Sequence, residues 1–205
     1  MAFALYSNYV VRMRSELPMC PDPIIMQEMQ KASLEFFRNS GVWLSTLAAM
    51  NIVANQASYT LTLPAMSQLQ QIQWVKCNFS PAVTPFDTVY AMAPGSYYLS
   101  DDQTSLVFYT YAIPTQNVTG GLQVQLMLVP TWDATGVPTC FLNRYAEGIM
   151  ARTKYNLMTM AKKPWSDAQN AGRYLARYNA ELAEATRDKG SQNLNAATVF
   201  AIPEL

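Results

Sequence analysis

Few residues of this chain have a type and spacing suited to chemistry. The sequence contains no histidine, which removes histidine-based triads, dyads and metal sites. Neither a G-x-x-x-x-G-K-[ST] phosphate loop nor a G-x-G-x-x-G fingerprint occurs. Asp101 and Asp102 are adjacent carboxylates of the kind that bind metals or move protons. Their setting, Ser100-Asp101-Asp102-Gln103 between two strand-like runs, instead reads as a turn, where Asp accepts backbone hydrogen bonds. Cys20, Cys77 and Cys140 are odd in number, widely spaced and without a partner base, so they fit reduced thiols made in a cytoplasm. The expectation is no catalytic residue, no metal and no cofactor: a protein that acts by contact.

Composition points the same way. Half of the 205 residues are hydrophobic and only 14% are charged, against roughly 25% in an average soluble domain. Twelve Met and twelve Tyr suit subunit contacts, Met by filling irregular gaps and Tyr by joining apolar area to a polar tip. Between Asn51 and Cys140 the only charges are Lys76, Asp87, Asp101, Asp102 and Asp133. The net charge of zero argues against a free-standing nucleic-acid binder. No apolar run approaches the roughly 20 residues of a membrane helix, and the first residues do not read as a secretion signal.

The elements around this uncharged middle read as helix, sheet, helix. Residues 3–16 carry a short helical pattern that stops before Pro18. Asp22 and Pro23 read as N-cap and first helical residue, Ile25, Met29, Ala32 and Phe36 form an apolar stripe, and Gly41 ends the helix. The period then changes to two. Ser58–Leu63, Gln71–Cys77, Leu106–Tyr111 and Leu122–Leu128 read as short strands separated by turn residues, with Ile72, Trp74 or Val75 as inward candidates in the second. With no helices between them, they predict an antiparallel sheet or small sandwich.

Helical spacing returns near Thr139, with Leu142, Ala146, Ile149, Thr153, Leu157 and Met160 on one face and Pro164 as the break. Ser166 and Gln169 match a capping box. Ala171, Leu175, Tyr178, Leu182 and Ala185 then repeat as a helix packed on a helix. Arg173, Arg177, Glu181, Glu184 and Asp188 fall on the opposite face, either as a solvated face or as a contact with a neighbouring subunit. After Gly190 the pattern dissolves into a polar stretch followed by the apolar Val199-Phe200-Ala201-Ile202-Pro203-Glu204-Leu205. An apolar segment of this kind suits docking by strand addition or groove filling, on its own chain or on a partner.

The predicted fold class is therefore α+β. Residues 1–42 and 139–190 form a helical bundle, 43–138 an inserted antiparallel β domain, and 191–205 an extended docking tail.

Several ordered motifs resemble head-to-tail adaptor (connector) proteins of tailed bacteriophages. They are Leu17-Pro18-Met19-Cys20-Pro21-Asp22-Pro23 with the following helix and Trp43, Pro130-Thr131-Trp132-Asp133-Ala134-Thr135-Gly136-Val137-Pro138, Phe141–Ile149, and Lys162-Lys163-Pro164-Trp165-Ser166-Asp167. The resemblance spans about residues 5–185 and stops short of the tail and the middle strands. It implies a structural protein of the virion neck, made in the host cytoplasm. Its copies would form a ring, expected to be a dodecamer, under the portal protein and above a tail tube or nozzle protein. Genomic DNA would pass through without being read, and no membrane would be involved. The tail residues Asn193, Leu194, Val199, Phe200, Ile202, Pro203 and Leu205 would dock on the portal, and Arg173, Arg177, Glu181 and Glu184 are candidates for the subunit interface.

Two other readings stay open. One is a β-sandwich tail component that holds a glycan or receptor through Tyr97, Tyr98, Tyr109 and Tyr111. The other is a different ring of the tail, a terminator or tube, distinguished by its neighbours.

Overall fold

A computed structural model describes residues 2–78, 92–93 and 95–197, with 191–197 as backbone alone. The chain divides into two compact units. Unit 1 comprises 1–43, 65–68 and 128–205, and unit 2 comprises 44–64 and 69–127. The class is α+β, as the sequence pattern predicts.

Unit 1 is built from α1 (Ser7–Arg14), α2 (Asp22–Ser40), α3 (Thr139–Met158) and α4 (Ala168–Ala197), with a two-stranded antiparallel ladder of β1 (Phe3–Leu5) and β9 (Gly136–Pro138). In α2 the predicted stripe is the buried one: Ile25, Met29, Ala32 and Phe36 are all fully buried. Gly41 closes the helix in the left-handed region at φ 60°, donating its N–H to the Phe37 carbonyl. The α2 start differs from the expectation. Pro21, extended at φ −64° and ψ 138°, occupies the capping position, and the Asp22 carboxylate turns to a two-pronged pair with the Arg14 guanidinium. A charged partner on α1 outcompetes the backbone N–H groups for this carboxylate.

An aromatic cluster fills the middle of unit 1. Phe37 meets Phe36, Trp43 and Phe141 edge-on, with ring centroids 5.7, 5.6 and 5.8 Å away. Phe36 reaches Tyr145 on α3 at 5.5 Å and Tyr178 on α4 at 6.2 Å. Each such pair contributes about 1 kcal/mol beyond its buried area. Tyr6, also fully buried, donates its hydroxyl to the Ser33 Oγ at 2.7 Å, and burial pushes its phenol up to about 12.

Helices α3 and α4 pack antiparallel, and Gly148 sets how closely. A Cβ there would lie 2.8 Å from the Glu181 Cβ and 3.2 Å from the Phe36 ring. The register runs from Lys154 over the Tyr174 ring at one end to the Arg144–Asp188 ion pair, 2.8 Å, at the other. Asp188 also accepts the Tyr145 hydroxyl at 2.6 Å.

Three expectations for these helices change. The start of α4 is capped by Asp167, which accepts the Asn170 N–H at 3.1 Å, and not by Ser166. Ser166 instead closes the preceding turn, accepting from the Lys163 N–H and donating to the Met160 carbonyl. The helix also continues through Ala197, past the Gly190 where the periodic pattern stops. Glycine costs a helix interior only about 1 kcal/mol, which neighbouring turns can absorb. Finally, residues 3–16 are not one helical stretch, because Phe3–Leu5 pair with β9 before α1 begins. A three-residue strand is too short to show a period.

Unit 2 contains two antiparallel sheets. In one, β2 (Leu44–Thr46) and β3 (Met50–Ile52) flank β8 (Val118–Pro130), which β5 (Ser67–Cys77) also joins; residues 67–68 and 128–130 of these strands fall in unit 1. In the other, β7 (Ser105–Phe108) lies between β4 (Ser58–Thr60) and β6 (Tyr97–Leu99). Alternation holds where one face is covered. In β5 the buried residues are Leu69, Val75 and Cys77, so Val75 is inward while Ile72 and Trp74 are half-buried. Tyr59 and Phe108 pack at 5.5 Å across the β4–β7 pair.

Gly148→Ala is expected to lower stability by about 1–3 kcal/mol through overpacking. Gly172→Ala, where a new Cβ meets nothing within 4 Å, is expected to raise it by up to about 1 kcal/mol. Thermal or urea unfolding of the two variants tests the difference in sign.

Candidate functional site

The residues with chemical potential are held in structural roles. Asp102 sits in the turn between β6 and β7 and accepts from the Ser100 hydroxyl at 2.5 Å, the Thr104 hydroxyl at 2.7 Å and the Thr104 N–H at 3.1 Å. These bonds hold its carboxyl down at about 2. Cys20 and Cys77 are buried, and burial raises both thiols, Cys77 to about 12. Cys140 is exposed. Among the described residues no group of three His, Cys, Asp or Glu is placed to hold a metal. No described helix is long and apolar enough to cross a membrane.

One charged cluster ties three helices of unit 1 together. Glu16, just after α1, receives Lys154 Nζ from α3 at 2.6 Å and the Tyr174 hydroxyl from α4. Arg173 donates to that same hydroxyl at 2.8 Å and lies over the Tyr174 ring. Burial alone would raise the Glu16 carboxyl, but Lys154, Tyr174 and Arg173 together bring it below its usual 4.5. The Lys154 side chain is only 9% exposed, so its ammonium depends on this partner. A second pair, Arg152 with Glu35 at 2.8 Å, joins α3 to α2 beneath the Tyr178 ring.

The four candidates for the subunit interface do not share one environment. Arg173 and Arg177 are exposed on α4, but Arg177 pairs with Glu147 of α3 at 3.0 Å and Arg173 is engaged with Tyr174. Glu181 is half-buried over Gly148, where burial and then neighbouring Glu184 raise its carboxyl. Glu184 is exposed. From Gly172 to Gly190 the exposed residues of α4 are Gly172, Arg173, Ala176, Arg177, Asn179, Ala180, Ala183, Glu184, Thr186, Arg187 and Gly190, small residues interspersed with polar and charged ones. Of the predicted tail residues, Asn193 and Leu194 lie on the α4 backbone. Val199, Phe200, Ile202, Pro203 and Leu205 lie outside the described residues.

In unit 2 the tyrosines gather. Tyr98 and Tyr109 pack with ring centroids 4.9 Å apart, and Tyr109 and Tyr111 lie parallel with centroids 6.1 Å apart. All three are exposed, Tyr111 most at 76%, and its hydroxyl donates to the Gly95 carbonyl. Tyr97 is half-buried beside them in β6. Sequence reasoning missed a different surface in unit 1, where Leu5, Met66 and Trp132 are exposed large apolar residues. Met66 also has a left-handed backbone at φ 55°, an uncommon conformation for its type that no sequence pattern announces.

Such an arrangement presents exposed faces of the kind that assembly proteins use. Residues 10–199 match the family described as SU10 adaptor protein, and the chain belongs to this family of phage head-to-tail adaptors. That membership gives the chain a head-to-tail structural role. A solved chain described as "Neck of empty GTA particle computed with C6 symmetry" is 14% identical, with a TM-score of 0.33, over 85% of this chain and 95% of that one. No curated protein matches the chain.

Removing the Glu16 carboxylate leaves the Lys154 ammonium short of its partner. Glu16→Gln is expected to cost about 1–2 kcal/mol near neutral pH. A carboxyl lowered on folding stabilises above its unfolded value near 4.5 and loses that contribution as the pH falls further. The stability gap between wild type and Glu16→Gln should therefore be full above about pH 5 and close toward pH 3, as measured by urea unfolding across that range.

Proposed function

We propose that copies of this protein form the ring that joins the portal to the tail and continues the DNA channel. The ring is dodecameric, lies beneath the portal protein and above the tail tube or nozzle protein, and passes genomic DNA without reading its sequence. It acts by contact and not by turnover. The observation that carries this reading is family membership across 10–199, which takes in the second half of α1 and all of α2, α3 and α4. The outward face of α4 supports it: its small residues let a neighbouring helix approach, and Glu184 and Arg187, with Arg173 and Arg177 already engaged by Tyr174 and Glu147, bring charges of both signs to the seam. Glu181 borders this seam from its half-buried position. Residues 191–205, with Asn193, Leu194, Val199, Phe200, Ile202, Pro203 and Leu205, dock on the portal.

A deletion of 191–205 is expected to leave a folded protein that sediments as a monomer and no longer binds portal. The full chain should also sediment as a monomer alone and form rings only on portal. Undiminished portal binding by the truncated protein would remove the docking tail from this reading. Stable rings of the full chain without portal would remove the portal-dependent assembly.

The stacked Tyr98, Tyr109 and Tyr111 favour a second reading, a tail component holding a glycan or receptor through unit 2. Glycan-array binding by the isolated protein, lost in Tyr109→Ala and Tyr111→Ala, would favour it. An unchanged array profile in those variants would count against it.

A further inference from the structure

Unit 1 carries two exposed apolar patches of opposite charge. Backbone contacts gather the first: the Tyr6 N–H reaches the Thr135 carbonyl at 3.0 Å, and the Thr131 N–H reaches the Met66 carbonyl at 3.0 Å. The Thr135 hydroxyl donates to the Met66 Sδ at 3.5 Å. Leu5, Met66 and Trp132 are thereby neighbours, exposed by 45, 37 and 61%. Residues 2–6, 65–68 and 128–143 contain a single charge, the exposed Asp133 beside Trp132, so this patch is acidic.

The second patch is built by α1 and the turn after it. Val10 and Met13 are buried, so Val11, Arg12 and Ser15 turn outward together. Val11 is 65% exposed, and Met19, held at φ 65° in the turn, is 80% exposed. Arg14 and Glu16 are engaged within the subunit by Asp22 and Lys154, while Arg12 lies exposed over the Tyr9 ring. This patch is therefore basic. It lies next to the exposed face of α4, because Glu16 receives the Tyr174 hydroxyl to which the exposed Arg173 also donates. The two patches are distinct places. Asp22, paired with Arg14, and Gln30, which donates to the Ala134 carbonyl at 3.1 Å, are eight residues apart, about 12 Å along α2.

We propose that the acidic patch at Trp132 of one copy seats on the basic patch at Val11 and Met19 of the next. This contact presupposes the ring reading above and gives its seam two unlike sides. A second copy is the occupant because each chain carries both complementary halves at separate places, and such a contact repeats head to tail until it closes. Trp132 supplies a large apolar anchor, and the Met19 thioether is a soft, polarisable surface for an indole. Arg12 and Asp133 stand one residue from Val11 and Trp132, so seating the apolar groups brings guanidinium and carboxylate together. A symmetric contact of either patch with its own kind would gather like charges instead.

The test is cross-linking of the full chain with a short bifunctional thiol reagent, in a Cys140→Ser background that leaves the buried Cys20 and Cys77. Ser15→Cys and Thr135→Cys place an exposed thiol in each patch and keep both charges. An equimolar mixture of the two variants should give a linked dimer, and neither variant alone should link to itself. The reagent captures brief encounters, so a chain that sediments as a monomer still reports the contact. Arg12→Asp on the Ser15→Cys chain, or Asp133→Arg on the Thr135→Cys chain, should lower the yield roughly threefold, and the two reversals together should restore it. No dimer from the mixture would overturn the proposal, as would a dimer from either variant alone. A double reversal that links no better than the single ones would overturn it too. No portal enters this experiment, so a negative result would remove this seam and leave the neck-ring reading standing.

Discussion

The close approach of α3 and α4 at Gly148 is the constraint on which unit 1 depends. With no side chain in the way, Glu181 and the Phe36 ring both settle against the α3 backbone, and three helices share one contact. That contact sets the register for everything along the pair. Toward one end it delivers Tyr174 and Lys154 to Glu16, and toward the other it delivers Asp188 to Arg144 and Tyr145. Between them it positions Tyr178 against Phe36 and under Arg152. A register error of one helical turn would separate all three groups at once, so the ionic contacts act as checks on an alignment that apolar packing sets.

Much of this was legible in the sequence, for a physical reason. Helices α2, α3 and α4 each cover a long apolar stripe, and a period sustained over several turns survives local exceptions. The stripe Ile25, Met29, Ala32 and Phe36 therefore reads correctly, and so does the turn at Ser100–Asp102, where short polar side chains serve their own backbone. The departures arise where a distant residue competes with a local one. Asp22 is a good cap by type but lies beside Arg14, and Ser166 has the spacing of a capping box but closes the turn before it. β1 and its ladder depend wholly on residues about 130 positions away, and no local pattern can announce them.

The surfaces were harder to read than the core. Burial follows from hydrophobic type and period, whereas exposure of Leu5, Met66 and Trp132 depends on how loops fold back beside β9. The face of α4 illustrates the same limit. By period alone Arg173, Arg177, Glu181 and Glu184 form one polar face, but α3 takes up Arg177 through Glu147 and draws Glu181 toward Gly148. What remains outward mixes Gly172, Ala176, Ala180 and Ala183 with charged and polar residues, a pattern visible only once the helix has been placed against its neighbour.

The scarcity of charge in unit 2 has a consequence for how its contacts respond to salt. Residues 44–64 and 69–127 carry one lysine and three aspartates, and Asp102 spends its carboxylate on its own turn. A contact made through Tyr98, Tyr109 and Tyr111 rests on dispersion, displaced water and neutral hydrogen bonds, none of which ions screen. Exposed ion pairs such as Arg177 with Glu147 weaken as the Debye length shortens from about 10 Å at 0.1 M to about 3 Å at 1 M salt. Contacts among these tyrosines are therefore far less sensitive to ionic screening than the surface ion pairs of unit 1.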